Sequence, residues 1–167
     1  MLHYHDNNCI AKAGDLLLLD LGAECGYYSS DITRTIPVNG KFTQRQKELF
    51  AIVREAMALS KDKMRPGVSI RESQQAVLDF YKKALRSAKL ITEDSQVGKY
   101  YYHGVSHSLG LDTHDPCDRS VYEPGMVITN EPGLYVAEEG IGIRLENDIL
   151  VTDGAPEDLI GDRLLDI

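Results

Sequence analysis

Asp20, Asp31, His107, Glu131 and Glu146 can each bind a metal, and each stands in a segment whose neighbours hold the backbone still. Together they offer four carboxylates and one imidazole. If the fold gathers them at one point, the negative charges cannot stay buried unpaired, because each desolvated carboxylate would cost several kcal/mol or take up a proton instead. Two divalent cations would balance them. The set is rich in hard oxygen donors, which suits manganese better than a structural zinc, with cobalt, iron and zinc also compatible. Two such ions about 3.5–4 Å apart can hold a bridging hydroxide at neutral pH and polarise a carbonyl beside it, the two-metal route to amide hydrolysis. Any one of these acids taken alone would be an ordinary surface residue in a chain that is 26% charged. The argument for a site is therefore one of context. His103, His107 and His114 fall within twelve residues of a chain that has only five histidines, and Gly104 and Gly110 punctuate the cluster.

The elements that must position these groups can be read from pattern. Gly14-Asp15 turns the chain into the run Leu16 to Leu21, which is apolar on both faces and predicts a central strand closed by Asp20. Tyr27 to Thr35 is β-branched and aromatic and stops at Pro37, which predicts the returning strand of a hairpin with Asp31 in its middle. Cross-strand neighbours in such a hairpin come within about 5 Å, close enough for two acids to share metals. From Thr43 the spacing becomes helical, with Leu49, Phe50, Val53, Ala56, Met57 and Met64 on one face, a Thr43/Gln46 capping box and a Pro66-Gly67 stop. Ser69 and Glu72 suggest a second capping box, ahead of a stripe of Ile70, Val77, Leu78, Tyr81 and Leu85. The charges at 61–63 and 82–83 read as solvated helix faces. Met126 to Glu131 lies between two Pro-Gly pairs, so Glu131 ends a strand, and rigid elements ending in a carboxylate hold ligands well. From Ile141 to Val151 the odd positions 141, 143, 145, 149 and 151 are apolar, which predicts one strand with Arg144 and Glu146 on the same face. A solvated outer face and a polar site on a concave sheet both fit that alternation. The glycines at 140 and 142 open a strand and are no nucleotide-binding fingerprint.

Composition bounds the partners. The 167 residues suit one domain with a full-sized core, and 18 basic against 26 acidic residues leave a net charge of -8, which disfavours nucleic acid. Three cysteines without CxxC spacing make neither a disulfide framework nor a zinc knuckle, and they fit a reducing cytoplasm. The polar start and the shortness of the longest apolar run, residues 16–19, give no sign of secretion or membrane insertion.

Four strings, LLLLDLGAECGYYSSDITRTIPVNGKFT, HGVSHSLGLDTHD, NEPGLYV and GIRLENDILV, occur in an order that closely resembles the catalytic domain of the aminopeptidase P branch of the pita-bread metallopeptidases. The likeness runs from Leu2 to about Gly154. It implies an α+β pita-bread fold, a curved and mostly antiparallel sheet with flanking helices, and a chain (1–167) that forms one partial catalytic domain, truncated at its N-terminus relative to the family. By this resemblance Asp20 and Asp31 ligate from the first strand pair, Asp31 and Glu146 bridge or chelate, and His107 and Glu131 complete the second ion. Glu131 doubles as acid and base. His103 and His114 would hold the substrate carbonyl or the tetrahedral intermediate, His3 would sit on the substrate side, and Arg144 and Tyr135 would buttress the network. The implied activity is release of the N-terminal residue from peptides with proline second. A prolidase acting on Xaa-Pro dipeptides, or a catalytically silent fragment that uses the fold to bind a partner, are the alternatives. A truncated fold exposes a sheet edge, which predicts self-association into a homo-oligomer.

Overall fold

The computed structural model describes His3, Tyr4 and residues 6–161. Strand β1 (Leu16–Leu21) pairs antiparallel with β4 (Ile32–Pro37), and the excursion between them carries a two-residue ribbon of β2 (Glu24–Cys25) and β3 (Tyr28–Ser29). Helices α1 (Gln44–Lys63) and α2 (Ile70–Ser87) follow. Strands β5 (Val127–Asn130) and β6 (Gly133–Val136) are then answered by β7 (Ile141–Arg144) and β8 (Asn147–Leu150), with β9 (Glu157–Asp158) added at the edge of β8. All pairings are antiparallel, in the orders β1-β4, β2-β3, β5-β8-β9 and β6-β7.

The core lies between the helix pair and the β6–β7 hairpin. Leu49, Phe50, Val53, Ala56 and Met57 of α1 meet Val77, Tyr81 and Leu85 of α2 on one side and Leu134, Val136, Ile141, Ile143 and Leu145 on the other. A smaller cluster of Met64, Tyr122, Ile128, Ile149 and Val151 closes the far end. The Thr43/Gln46 box forms in both directions, and the Gln46 amide also donates to the Gly14 carbonyl at 2.9 Å, which ties the start of α1 to the turn that feeds β1. Ser69 behaves otherwise. It caps α2 by position but makes no side-chain capping bond, and the first N–H of the helix, that of Ile70, donates to the Ser120 carbonyl at 3.1 Å.

Two strand expectations need correction. Strand β1 is an edge: among the described residues only β4 pairs with it, and Leu17, Leu19 and Leu21 are exposed, Leu21 to 58%. Four leucines in a row satisfy the pattern of a strand buried on both faces, yet packing is supplied on one. The long strand expected over 141–151 is broken at Leu145-Glu146, where the chain leaves β6 to pair with β5 instead. Both faces of that stretch are buried, Arg144, Glu146 and Asp148 included, so the polar positions do not form a solvated face. No helix among the described residues is long and apolar enough to cross a membrane. The three cysteines are exposed and unpaired.

Candidate metal centre

The expected continuous strand over 27–35 is also interrupted. Asp31 occupies the gap between β3 and β4, and the register pairs Asp20 with Thr33, so the two acids sit diagonally across the hairpin. They are near enough for Asp20 to raise the Asp31 carboxyl through its charge and a side-chain hydrogen bond, adding to burial, and the Asp31 pKa reaches about 6.

His107 is held by its backbone. Its N–H donates to Thr129 Oγ1 at 3.0 Å, and its carbonyl accepts from Thr129 N at 2.9 Å. Its Nδ1 lies 3.0 Å from the Ser108 carbonyl, and a carbonyl can only accept, so Nδ1 carries the proton and neutral His107 turns the lone pair of Nε2 inward. Burial first, then the charge of His114, keeps this imidazole below its ordinary pKa. From Nε2 it is 3.6 Å to Asp31 Oδ2, 3.5 Å to Glu131 Oε1 and 4.0 Å to Glu146 Oε1. One donor atom each from Asp31, His107 and Glu146 lie within 4.8 Å of one another. Glu131 is anchored just past β5 by a bond from its N–H to the Val105 carbonyl at 2.9 Å.

Burial is the largest cause that raises Glu131 to about 7 and Glu146 to about 8, with repulsion from the neighbouring carboxylates adding to it. Glu146 is 2% exposed, and its Oε1 has no hydrogen-bond partner. A buried carboxylate oxygen without a donor, aimed at an imidazole lone pair and two further carboxylates, is the arrangement expected of a divalent-cation ligand. The residues present therefore fit the ions that their types suggest.

Asp20 is held differently. Its Oδ2 accepts from Arg144 Nη2 at 2.6 Å and its Oδ1 from Thr33 Oγ1 at 3.0 Å, and at 31% exposure it does not close a buried strand. Each carboxylate oxygen has two lone pairs, so the Arg144 bond leaves Asp20 able to ligate as well. Arg144 also donates through Nη1 to Tyr135 Oη at 3.3 Å, and the Tyr135 hydroxyl donates to His103 Nε2 at 2.9 Å, since His103 Nδ1 must donate to the Gly104 carbonyl at 2.7 Å. The rings of His114 and His107 meet edge to face at 4.3 Å. His3 stands at the same opening, and the structure brings all nine residues singled out for metal and catalytic roles around one cavity of about 180 Å3. Tyr135, expected to buttress that network, touches it through the hydrogen bonds of its hydroxyl to His103 and Arg144.

Thr33 and Asp148 are the site residues that pattern reading missed. Thr33 Oγ1 lies 3.0 Å from Asp20, 2.5 Å from Glu146 Oε2 and 3.1 Å from Arg144 Nε. A signal existed: in the strand expected over 27–35 Thr33 falls on the same face as Asp31, two residues away, and Asp148 continues the alternation of Arg144 and Glu146.

The family model for metallopeptidase family M24 matches residues 1–153. The chain is 43% identical to the Xaa-Pro aminopeptidase of Escherichia coli K12 over 95% of its own length and 41% of that protein's. It is 40% identical to Xaa-Pro aminopeptidase 3 of Homo sapiens over 93% of this chain and 34% of the relative. Among solved structures, proline aminopeptidase P II from Yersinia pestis superposes with a TM-score of 0.90 at 41% identity, covering 97% of this chain and 42% of that one. Aminopeptidase P from E. coli with the inhibitor Pro-Leu gives 0.89 at 42% identity over the same shares. The pita-bread fold expected from the four strings is the fold of these structures. The chain spans about two fifths of the length of the E. coli relative, and about a third of the human one.

Proposed function

The chain belongs to metallopeptidase family M24, and from that premise we propose that it is the metal-binding catalytic part of a Xaa-Pro aminopeptidase, releasing the first residue from peptides whose second residue is proline. The observation that carries this reading is the convergence of Asp31, His107 and Glu146 within 4.8 Å, with Glu131 at 3.5 Å from His107 and a partnerless buried oxygen on Glu146.

In this reading Asp20, Asp31, His107, Glu131 and Glu146 hold two divalent ions, with manganese favoured by the hard donor set. When bound, the ions supply an activated water and polarise the scissile carbonyl. The remaining steps belong to the chain. Glu131, whose environment already brings its carboxyl near neutrality, takes a proton from the attacking water and returns it to the departing proline nitrogen. His114 faces the carbonyl oxygen and stabilises the charge that develops on it, His103, whose Nδ1 donates to the Gly104 carbonyl and whose Nε2 accepts from Tyr135, shapes the cavity wall on the carbonyl side, and His3 lines the substrate side. Arg144 and Tyr135 act through His103. Tyr135 donates to its Nε2 and Arg144 donates to the Tyr135 hydroxyl, which fixes its ring plane. Residues 1–167 act as one catalytic domain.

The exposed leucines of β1 support self-association, and the unpaired cysteines support a reducing cytoplasmic setting. Manganese titration by calorimetry, followed by release of arginine from an Arg-Pro-Pro peptide, tests the reading. Two ions bound with turnover supports it, whereas ions bound without turnover favours the silent binding module. Cleavage of Xaa-Pro dipeptides alone would favour the prolidase.

A further inference from the structure

Asp148 lies in the middle of β8, 3% exposed, and the metal reading above gives it no task. Its carboxyl accepts one hydrogen bond, through Oδ2 from the backbone N–H of Asp31 at 3.1 Å, and its Oδ1 has no partner. Burying a carboxylate for a single bond costs fold stability, so stability is a poor reason for the residue. The bond it makes is placed where backbone direction matters. Asp31 sits in the gap between two strands, and the residue before it is fixed from the opposite side: Ser30 N donates to the Ala23 carbonyl at 3.0 Å, and Ser30 Oγ accepts from Ala23 N at 2.8 Å. The Ser30 carbonyl lies so close to Gly22 that a Cβ there would meet its oxygen at 1.7 Å. The chain therefore enters Asp31 along a tightly held path, and the Asp31 N–H is turned away from the hairpin toward β8. A backbone N–H bonded to a carboxylate is a charge-assisted contact, stronger than an amide pair.

We propose that Asp148 is a positioning residue that aims the Asp31 carboxylate into the metal centre by holding the Asp31 peptide, so that residues 146–148 set two candidate ligands at once, Glu146 directly and Asp31 at one remove. The proposal rests on the metal reading of the site. Partners that orient ligands in this way typically hold about ten- to a hundredfold in metal affinity.

The test is manganese titration by calorimetry of the full chain as wild type, Asp148→Asn and Asp148→Ala, together with amide hydrogen exchange at Asp31 in the metal-free protein. The expected result is affinity about ten- to a hundredfold weaker for the alanine variant and close to wild type for asparagine, whose side-chain carbonyl accepts the same bond. The Asp31 amide should exchange slowly in the wild-type and asparagine proteins. Unchanged affinity in Asp148→Ala, or equal loss in both variants, overturns the proposal. If the alanine variant does not fold, fast exchange of the Asp31 amide in the wild type overturns it alone. A wild type that binds no manganese while protecting this amide would instead overturn the metal reading and leave the contact standing.

Discussion

Replacing Glu146 with glutamine should spare the metal-free protein a pH-dependent loss of stability and deny the metal-loaded protein most of its gain. Glu146 is buried, and its carboxyl rises from 4.5 to about 8 in the folded chain. Because the folded pKa lies above the unfolded one, the folded state binds the extra proton, and stability falls as pH rises through the window between the two values. Below about pH 4.5 both states are protonated and the residue has no effect; above about pH 8 the loss is complete. The free-energy equivalent of that rise is about 4 kcal/mol between pH 4.5 and pH 8. Glutamine has the same shape and never ionises, so Glu146→Gln removes this slope. Comparing the two proteins at both pH values cancels whatever the amide changes in packing or in its bond to Thr33. At about 2–4 °C per kcal/mol for a chain of this size, the melting temperature of the variant should gain roughly 10 °C on the wild type between pH 4.5 and pH 8 in chelator. With manganese the gap narrows: a ligand at a hundred times its Kd adds about 2.7 kcal/mol to the wild type, which offsets most of the loss of about 4 kcal/mol, and the variant, lacking a ligand, gains little of this. The assay is thermal unfolding by circular dichroism at both pH values, with EDTA and with manganese. A melting difference that does not change with pH in EDTA would refute the account of Glu146 as a buried carboxyl with one oxygen unpartnered.

Thr33→Val removes the hydroxyl shared by Asp20, Glu146 and Arg144 while keeping the shape, and calorimetry should show manganese affinity about ten- to a hundredfold weaker; Thr33→Ser should restore it. Glu131→Ala should abolish turnover of an Arg-Pro-Pro peptide and weaken metal binding, and near-normal hydrolysis would take the acid–base role away from Glu131. Lys61→Ala loses a surface ion pair with Asp158 at 3.3 Å and should change stability by less than about 1 kcal/mol, with metal affinity unmoved in the same titration. Leu145→Ala, at a fully buried position beside the break between β7 and β8, should cost about 2–5 kcal/mol in urea unfolding.

Much of the positioning was legible because it is local. The Thr43/Gln46 box, the helical stripes and the turn residues on either side of Glu131 act within a few residues of themselves, so their types were enough to place α1, α2 and the end of β5. The apolar alternation from 141 to 151 also held in burial, with every odd position named for it buried. Pattern reading failed where a residue's partner was remote. It put Asp31 inside a strand, whereas a contact with Asp148, 117 positions away, holds it in a gap. It made β1 central, since four leucines describe what a strand could bury and say nothing of what packs against it. Ser69 and Glu72 matched a capping box, yet Ser69 makes no side-chain cap bond, and the first N–H of the helix donates to the Ser120 carbonyl of a distant loop.

The amino-acid sequence alone determined which chemistry was available: four carboxylates and an imidazole carried at the ends of rigid elements, since residue type and short-range periodicity are written locally. Only the tertiary structure decided that one Glu146 oxygen is left without a donor, that Thr33 joins Asp20 to Glu146, and that Asp148 holds the Asp31 peptide. Those facts depend on which distant segments pack together, and packing is settled by the burial of the whole chain at once.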